Sequence, residues 1–259
     1  MNADGIDLWQ FPLDGGPEAV NAALVFLSRE ERILFRQFGN DQLAASFAIR
    51  RAARRIILAR YLGVGPSDVR TRDAPAGKPE LTSPSAGLHF NASHSKNRGI
   101  LAVTRRFAVG ADVERLRSID VKALGGRILS PSERLALDHA RPEDRDAGMF
   151  RVWTAKEALV KGFGVGLDLR DLPLISVPFA PAPAVWTPAR FSGRMKAHGQ
   201  WYVYSLPPSD DYHVGLAAPA EAAVTIMDAR DVLAETGIRA LPTHDAACSI
   251  RSAHGRSFG

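Results

Sequence analysis

The chain has 259 residues, 46% apolar and 24% charged, with 33 Lys and Arg against 28 Asp and Glu, a net charge of +5 and a pI near 9.6. This composition excludes a disordered chain or a fibre, and no apolar stretch reaches the ~18 residues that a membrane helix needs. One cysteine, Cys248, excludes an internal disulfide and a multi-cysteine zinc site.

The opening MNADGIDLWQ lacks the basic-then-apolar pattern of a secretory signal, so the expectation is a cytoplasmic protein with no membrane association. Only six of the cations are lysines, and 27 are arginines. Arginine's planar fork suits phosphate and carboxylate groups. A GC-rich genome would give the same bias, and composition does not separate the two readings.

After a strand-like Ile6-Asp7-Leu8-Trp9, residues 28–38 read as a helix with Ser28 as N-cap and Glu30 and Glu31 in the first turn. A longer helix is predicted over Asp41 to Leu62. Ile49, Ala52, Ala53, Ile56 and Ala59 share one face, and Arg50, Arg51, Arg54 and Arg55 the opposite one. Gly63-Val64-Gly65-Pro66 stops it. A turn-rich stretch holding Pro75, Gly77 and Pro79 leads into two β-like runs, 87–91 and 100–104. The polar segment 93–99 is read as the hairpin turn between them, and a third strand as 107–114. A helix over 150–163 ends in Gly164-Val165-Gly166, and 200–206 with 213–218 form a second hairpin. Helix, Gly-Val-Gly and hairpin therefore occur twice, which suggests a pseudo-symmetric duplication. Prolines 173, 178, 181, 183 and 188 mark an irregular excursion. One short helix over 228–235 and a polar end complete the chain.

The residues with chemical potential are few. Along a strand, Asp112 and Glu114 fall on one face and Val109, Ala111 and Val113 on the other. Two carboxylates about 7 Å apart along a strand repel unless a cation joins them. Mg2+ commonly takes one or two carboxylates plus substrate phosphates. A solvated strand end is the plain alternative. Glu157 and Lys161 stand at i,i+4 beside Trp153. They are either a surface ion pair or a base and a cation facing one substrate. Phe90-Asn91-Ala92-Ser93-His94-Ser95 lacks a nucleophile elbow, and no P-loop is present. The glycines 162, 164 and 166 read as a helix stop.

In order, Gly77-Lys78-Pro79, Phe90-Asn91-x-Ser93-His94-Ser95, Gly110-x-Asp112-x-Glu114 and Trp153-x-x-Lys156-Glu157-x-x-x-Lys161 resemble the 4'-phosphopantetheinyl transferase superfamily. Length and apparent duplication are similar to its large, pseudo-dimeric (Sfp-type) branch. The resemblance implies an α+β fold of two pseudo-symmetric halves, 1–111 and 112–225, each a small antiparallel sheet packed with a long helix. Residues 226–259 would be a partly flexible C-terminal extension. It also implies a monomeric enzyme that moves 4'-phosphopantetheine from coenzyme A to a serine of an apo acyl, peptidyl or aryl carrier protein, releasing 3',5'-ADP.

By that resemblance Asp112, Glu114 and Glu133 would hold Mg2+. Glu157 would deprotonate the carrier serine, and Lys161 would neutralise phosphate or protonate the departing ADP. Arg50, Lys78, Ser93, His94 and Lys156 would contact the phosphates of coenzyme A. Thr154 stands where the family usually has serine. No lysine precedes Lys78, although relatives use N-terminal lysines for the 3'-phosphate; Arg29, Arg32 and Arg36 are the available substitutes. The rival readings are a binding module without turnover and, from the arginine face, nucleic-acid binding, for which no recognition motif is present.

Overall fold

The computed structural model describes residues 5–241 except 75–77, 84–86, 165, 167, 181–182, 208 and 210. Pro75, Gly77, Val165, Pro181, Cys248 and residues 242–259 therefore lie outside the described residues. In chain order the elements are β1 (Ile6–Pro12), α1 (Pro17–Val25), α2 (Arg29–Arg36), α3 (Asp41–Leu62), β2 (Arg70–Asp73), β3 (Pro79–Ser83), β4 (His89–Ser95), β5 (Arg98–Thr104) and β6 (Gly110–Arg115). There follow α4 (Val121–Ile128), α5 (Pro131–His139), α6 (Pro142–Phe163), β7 (Ile175–Ser176), β8 (Trp186–Pro188), β9 (Arg190–Phe191), β10 (Tyr202–Ser205), β11 (Tyr212–Ala218), β12 (Val224–Asp228) and α7 (Arg230–Ala234).

Two four-stranded sheets organise this mixed α+β chain, β12-β1-β5-β4 and β6-β11-β10-β8. Alternation along the strands gives each sheet two apolar faces. Ile6, Leu8, Ile100 and Ala102 of the first sheet pack with Ala111, Val113 and Leu216 of the second and with Val109 just before β6. Trp9, Phe11, Leu101 and Val103 point outward onto α3, and Val203 and Ala217 onto α6. The result is four layers, helix, sheet, sheet, helix. Each covering helix has 22 residues and ends at a left-handed glycine, Gly63 (φ 67) and Gly164 (φ 75). At both points only glycine is free of a Cβ penalty.

Local chemistry sets the boundaries. Ser28 Oγ accepts from Glu31 N at 3.2 Å while the Glu31 carboxylate accepts from Ser28 N at 2.9 Å, a reciprocal cap for α2. Asn40 caps α3 through Leu43 N at 2.9 Å. Within α3 the apolar face is buried as its spacing predicts, but the arginines are not a solvated face. Arg54 and Arg55 are 6% and 5% exposed, and Arg51, Arg54 and Arg55 converge on Glu31 at 3.7, 3.6 and 2.7 Å. The capping carboxylate of α2 thus carries the buried charge of α3.

Three elements differ from the sequence expectation. β4 and β5 run through the polar segment 93–99, so that only Lys96 and Asn97 make the turn, with Lys96 at φ 52. The expected 150–163 helix starts at Pro142. The first sheet is not purely antiparallel, because β12 joins β1 in parallel, Ile6 opposite Val224 to Gln10 opposite Asp228. The segment after 225 begins, then, as part of the first sheet.

That sheet also carries a buried polar relay. Trp9 Nε1 donates to Tyr61 Oη at 2.7 Å, and Tyr61 Oη donates to Asp7 Oδ2 at 2.6 Å. Asp7 is 2% exposed, and burial with its carboxylate neighbour raises the Tyr61 phenol. Tyr61→Phe strands both partners and lowers stability by about 1–3 kcal/mol. Urea unfolding measures it, and an unchanged midpoint would remove the relay from the stabilising contacts.

Candidate active site

The inner seam between the sheets is made by side chains rather than by a backbone ladder. Asn91, Ser93 and Ser95 recur with period two on β4 and face β6. Asn91 Oδ1 accepts from Ala111 N at 2.9 Å; Ser93 Oγ donates to Asp112 Oδ1 at 2.8 Å. Ser95 Oγ donates to Glu114 Oε2 at 2.9 Å and accepts from Arg115 N at 3.2 Å. Asp112 and Glu114 stand together on one face, as alternation predicts.

Helix α6 closes over the same place. A Cβ on Gly110 would sit 1.8 Å from Ala158 O, so glycine there is what lets α6 lie on β6. Gly162 is still helical and packs under the Trp201 ring, so the helix stop is Gly164 alone. This close approach lowers Lys161 onto the carboxylates. Its Nζ donates to Asp112 Oδ1 at 2.5 Å and to Ser93 Oγ at 3.0 Å.

The electrostatics of the group are unbalanced. Asp112 is 3% exposed, and burial raises its pKa despite Lys161; its Oδ2 is buried with no partner. Glu157 is pushed up to about 7, first by burial, then by Asp112 and Glu114, against the pull of Lys161. Lys161 on Asp112 and Arg117, 3.9 Å from Glu114 Oε2, are the two cations set against three carboxylates. Such a group can accept a proton near neutral pH and has room for more positive charge.

The cationic side comes from the first sheet and α3. His94 lies on the face of β4 opposite Ser93, and burial, Arg50 and Lys161 hold its pKa down at about 4, so the ring is neutral. Arg50 also sits 5.6 Å over the Phe47 ring. Lys78 reaches the end of α6, donating to Gly162 O at 3.4 Å, with its pKa lowered by burial. Ser93, Asp112 and Lys161 are thus hydrogen-bonded together, and Glu114 and Glu157 act electrostatically within the same group. Arg50 and His94 stand in electrostatic reach of it, while Lys78 reaches the end of the helix that carries Lys161; we call this cluster the cleft.

Two expected members are used elsewhere. Lys156 is fully buried, and its three donors go to Glu133 Oε2 at 2.6 Å, Ile128 O at 2.7 Å and Leu172 O at 2.9 Å. An ammonium has three donors, so none is left for a phosphate. Glu133 is 1% exposed and takes Lys156, Ser130 N and Val177 N. Among the described residues no three His, Cys, Asp or Glu side chains form a metal-ligating group, so Glu133 does not join Asp112 and Glu114. The pair ties α5 to α6 and stands apart from the cleft. Conversely, the sequence reading assigned no role to Asn91 and Ser95. The signal was present, since both share a face with Ser93 once the segment is read as strand.

The carboxylate–lysine cluster at the seam of two sheets, with its cationic flank, is a charge arrangement suited to phosphate groups. Residues 108–217, which include the β6 and α6 residues of the cleft, match the family model for the 4'-phosphopantetheinyl transferase superfamily. The chain is 32% identical over 213 residues to the 4'-phosphopantetheinyl transferase HetI of Nostoc sp. (strain PCC 7120), covering 81% of this chain and 85% of that one. It is 28% identical over 145 residues to the 4'-phosphopantetheinyl transferase Sfp of Bacillus subtilis (strain 168), covering 56% and 63%. Against the AcpT enzyme of Salmonella typhimurium (strain LT2) the values are 37% over 120 residues, 45% and 60%. The chain belongs to the 4'-phosphopantetheinyl transferase superfamily and is a transferase. Among the described residues no helix is long and apolar enough to cross a membrane.

Proposed function

We propose that this chain transfers 4'-phosphopantetheine from coenzyme A to a serine of an apo acyl, peptidyl or aryl carrier protein, in a Mg2+-dependent reaction that releases 3',5'-ADP. The observation that carries the reading is the grouping of Asp112, Glu114 and Lys161 around Glu157, with Asp112 Oδ2 buried and without a hydrogen-bond partner. An orphaned carboxylate oxygen in an electron-rich pocket fits a hard divalent cation. Asp112 and Glu114 would hold it, without Glu133.

Phosphoryl-type transfer depends on placement and charge neutralisation more than on covalent help. The Glu157 carboxylate takes the proton of the carrier serine hydroxyl. The serine oxygen then bonds to the β-phosphorus of coenzyme A as the bond from that phosphorus to the bridging oxygen breaks. Lys161 meets the charge on that oxygen and can supply a proton to it. Ser93 and Lys161 hold Asp112 in place. Arg50, Lys78 and neutral His94 would receive the phosphates. Mg2+, which Asp112 and Glu114 would hold, would supply positive charge against that of the pyrophosphate.

The repeated plan of sheet, 22-residue helix and left-handed glycine supports reading the chain as two halves. Their division would fall in the connection 105–109 just before β6, with residues 224–241 returning to the first half.

The test is loading of purified apo carrier proteins with coenzyme A, followed by mass spectrometry. Wild-type protein adds one phosphopantetheinyl group per carrier with Mg2+ and none after chelation. Failure across acyl, peptidyl and aryl carriers, or full loading in chelator, overturns the reading or its metal requirement respectively.

A further inference from the structure

We propose that Ser95 is a positioning residue for the divalent cation: its hydroxyl pins Glu114 by one carboxylate oxygen and leaves the other for the ion. This rests on the transferase reading above and names the residue that prepares the second of its two cation-holding carboxylates.

The direction of the Ser95 bond follows from its neighbours. A serine hydroxyl has one proton to give and lone pairs to receive. Arg115 N donates to Ser95 Oγ at 3.2 Å, and an ionised carboxylate only accepts, so the Ser95 proton goes to Glu114 Oε2 at 2.9 Å. One hydroxyl thus holds a side chain and the backbone of the next residue, which fixes the Glu114 carboxylate relative to β6. Ser93 repeats the pattern two residues earlier on the same face. Lys161 Nζ donates to its Oγ at 3.0 Å, and the Oγ donates to Asp112 Oδ1 at 2.8 Å. Each carboxylate is therefore occupied at one oxygen and open at the other. Asp112 Oδ2 is buried without a hydrogen-bond partner, and among the described residues Glu114 Oε1 accepts no hydrogen bond.

The two carboxylates do not need their serines equally. The Asp112 side chain is 4% exposed and also takes Lys161 at 2.5 Å, so the fold already confines it. Glu114 is longer and 26% exposed, and Arg117 stands 3.9 Å from it on a side chain itself 59% exposed. An exposed pair at that distance confines a carboxylate weakly. Ser95 is what keeps Glu114 beside Asp112 rather than in solvent. Metal-ligating carboxylates are held by such outer hydrogen bonds, whose loss costs about 10–100-fold in metal affinity.

The experiment measures the Kd of coenzyme A by calorimetry in EDTA and across a Mg2+ series, without a carrier, so that no turnover enters. The Mg2+ concentration at which half of the tightening is complete reads the affinity of the ion for the site. Ser95→Ala and Ser95→Cys, the second keeping the size but donating weakly, are expected to raise that midpoint about tenfold. The Kd in EDTA holds, and Ser95→Thr, which keeps the hydroxyl, restores the midpoint. An unchanged midpoint in both the alanine and cysteine variants overturns the proposal. With a lowered melting temperature, that result would assign Ser95 to the β4–β6 seam alone. A Kd in EDTA that rises by the same factor overturns it too, by assigning Ser95 to the nucleotide. So does a Ser95→Thr midpoint as high as that of Ser95→Ala. Wild-type protein that binds coenzyme A equally with and without Mg2+ fails the cation reading itself, before any variant is made.

Discussion

Glu157→Gln lowers the rate of carrier loading by about 10²–10⁴-fold, the usual worth of a positioned general base. Glutamine keeps the size and hydrogen-bonding shape but cannot take the serine proton. The wild-type rate rises with pH as Glu157 ionises, around pH 7 or lower once a cation shares the pocket. The variant loses that limb. Stability moves the other way. The folded pKa of about 7 lies above the ordinary glutamate value of 4.5, so the folded state binds the proton more tightly. The group therefore favours folding below about pH 4.5 and progressively opposes it as pH rises to 7. In chelator, Glu157→Gln should be more stable than wild type by up to about 3 kcal/mol at pH 8 and equal to it near pH 4. A variant that loads carrier at the wild-type rate would falsify the role of Glu157 as base, whatever its stability.

Lys156→Met should cost about 3–5 kcal/mol, because removing one partner of a buried ion pair strands the other. Glu133 keeps its two backbone donors but loses its cation, and Ile128 O and Leu172 O lose theirs. Lys156→Met/Glu133→Gln should recover part of the loss, since the second change removes the uncompensated charge. The measurement is denaturant unfolding of both variants together with KM for coenzyme A. A phosphate contact at Lys156 would give a raised KM at unchanged stability. That result would overturn the structural assignment. Burial holds the Lys156 pKa near 8 against the pull of Glu133, which marks a tether in a dry interior.

Much of the site was legible because it rests on local periodicity. Asp112 and Glu114 share a face by strand alternation, and Glu157 and Lys161 by helical spacing. Asn40, Ser28, Gly63 and Gly164 set helix ends by chemistry that needs no tertiary partner. What was hidden depended on distant residues. Nothing near Arg54 and Arg55 shows that Glu31 will bury them. Lys156 sits inside the transferase motif, and only the folded chain reveals Glu133 at its ammonium, 23 residues away in sequence. The extension of β4 through Ser95 was missed because polar residues there serve an inter-sheet seam rather than solvent. In β12, Val224-Thr225-Ile226 carried a β-branched signal, but no local feature marks a parallel partner more than 200 residues upstream.

That parallel pairing of β12 with β1 ties the order of synthesis to the order of assembly. β1 is synthesised more than 200 residues before β12 and waits for it before their sheet is complete. Until then β1 offers an open edge, the feature that most readily recruits a second chain. A chain cut before residue 224 would keep every catalytic side chain yet carry that edge permanently. Its failure would show as self-association rather than as loss of chemistry, and the molecule is accordingly most vulnerable while it is still being made.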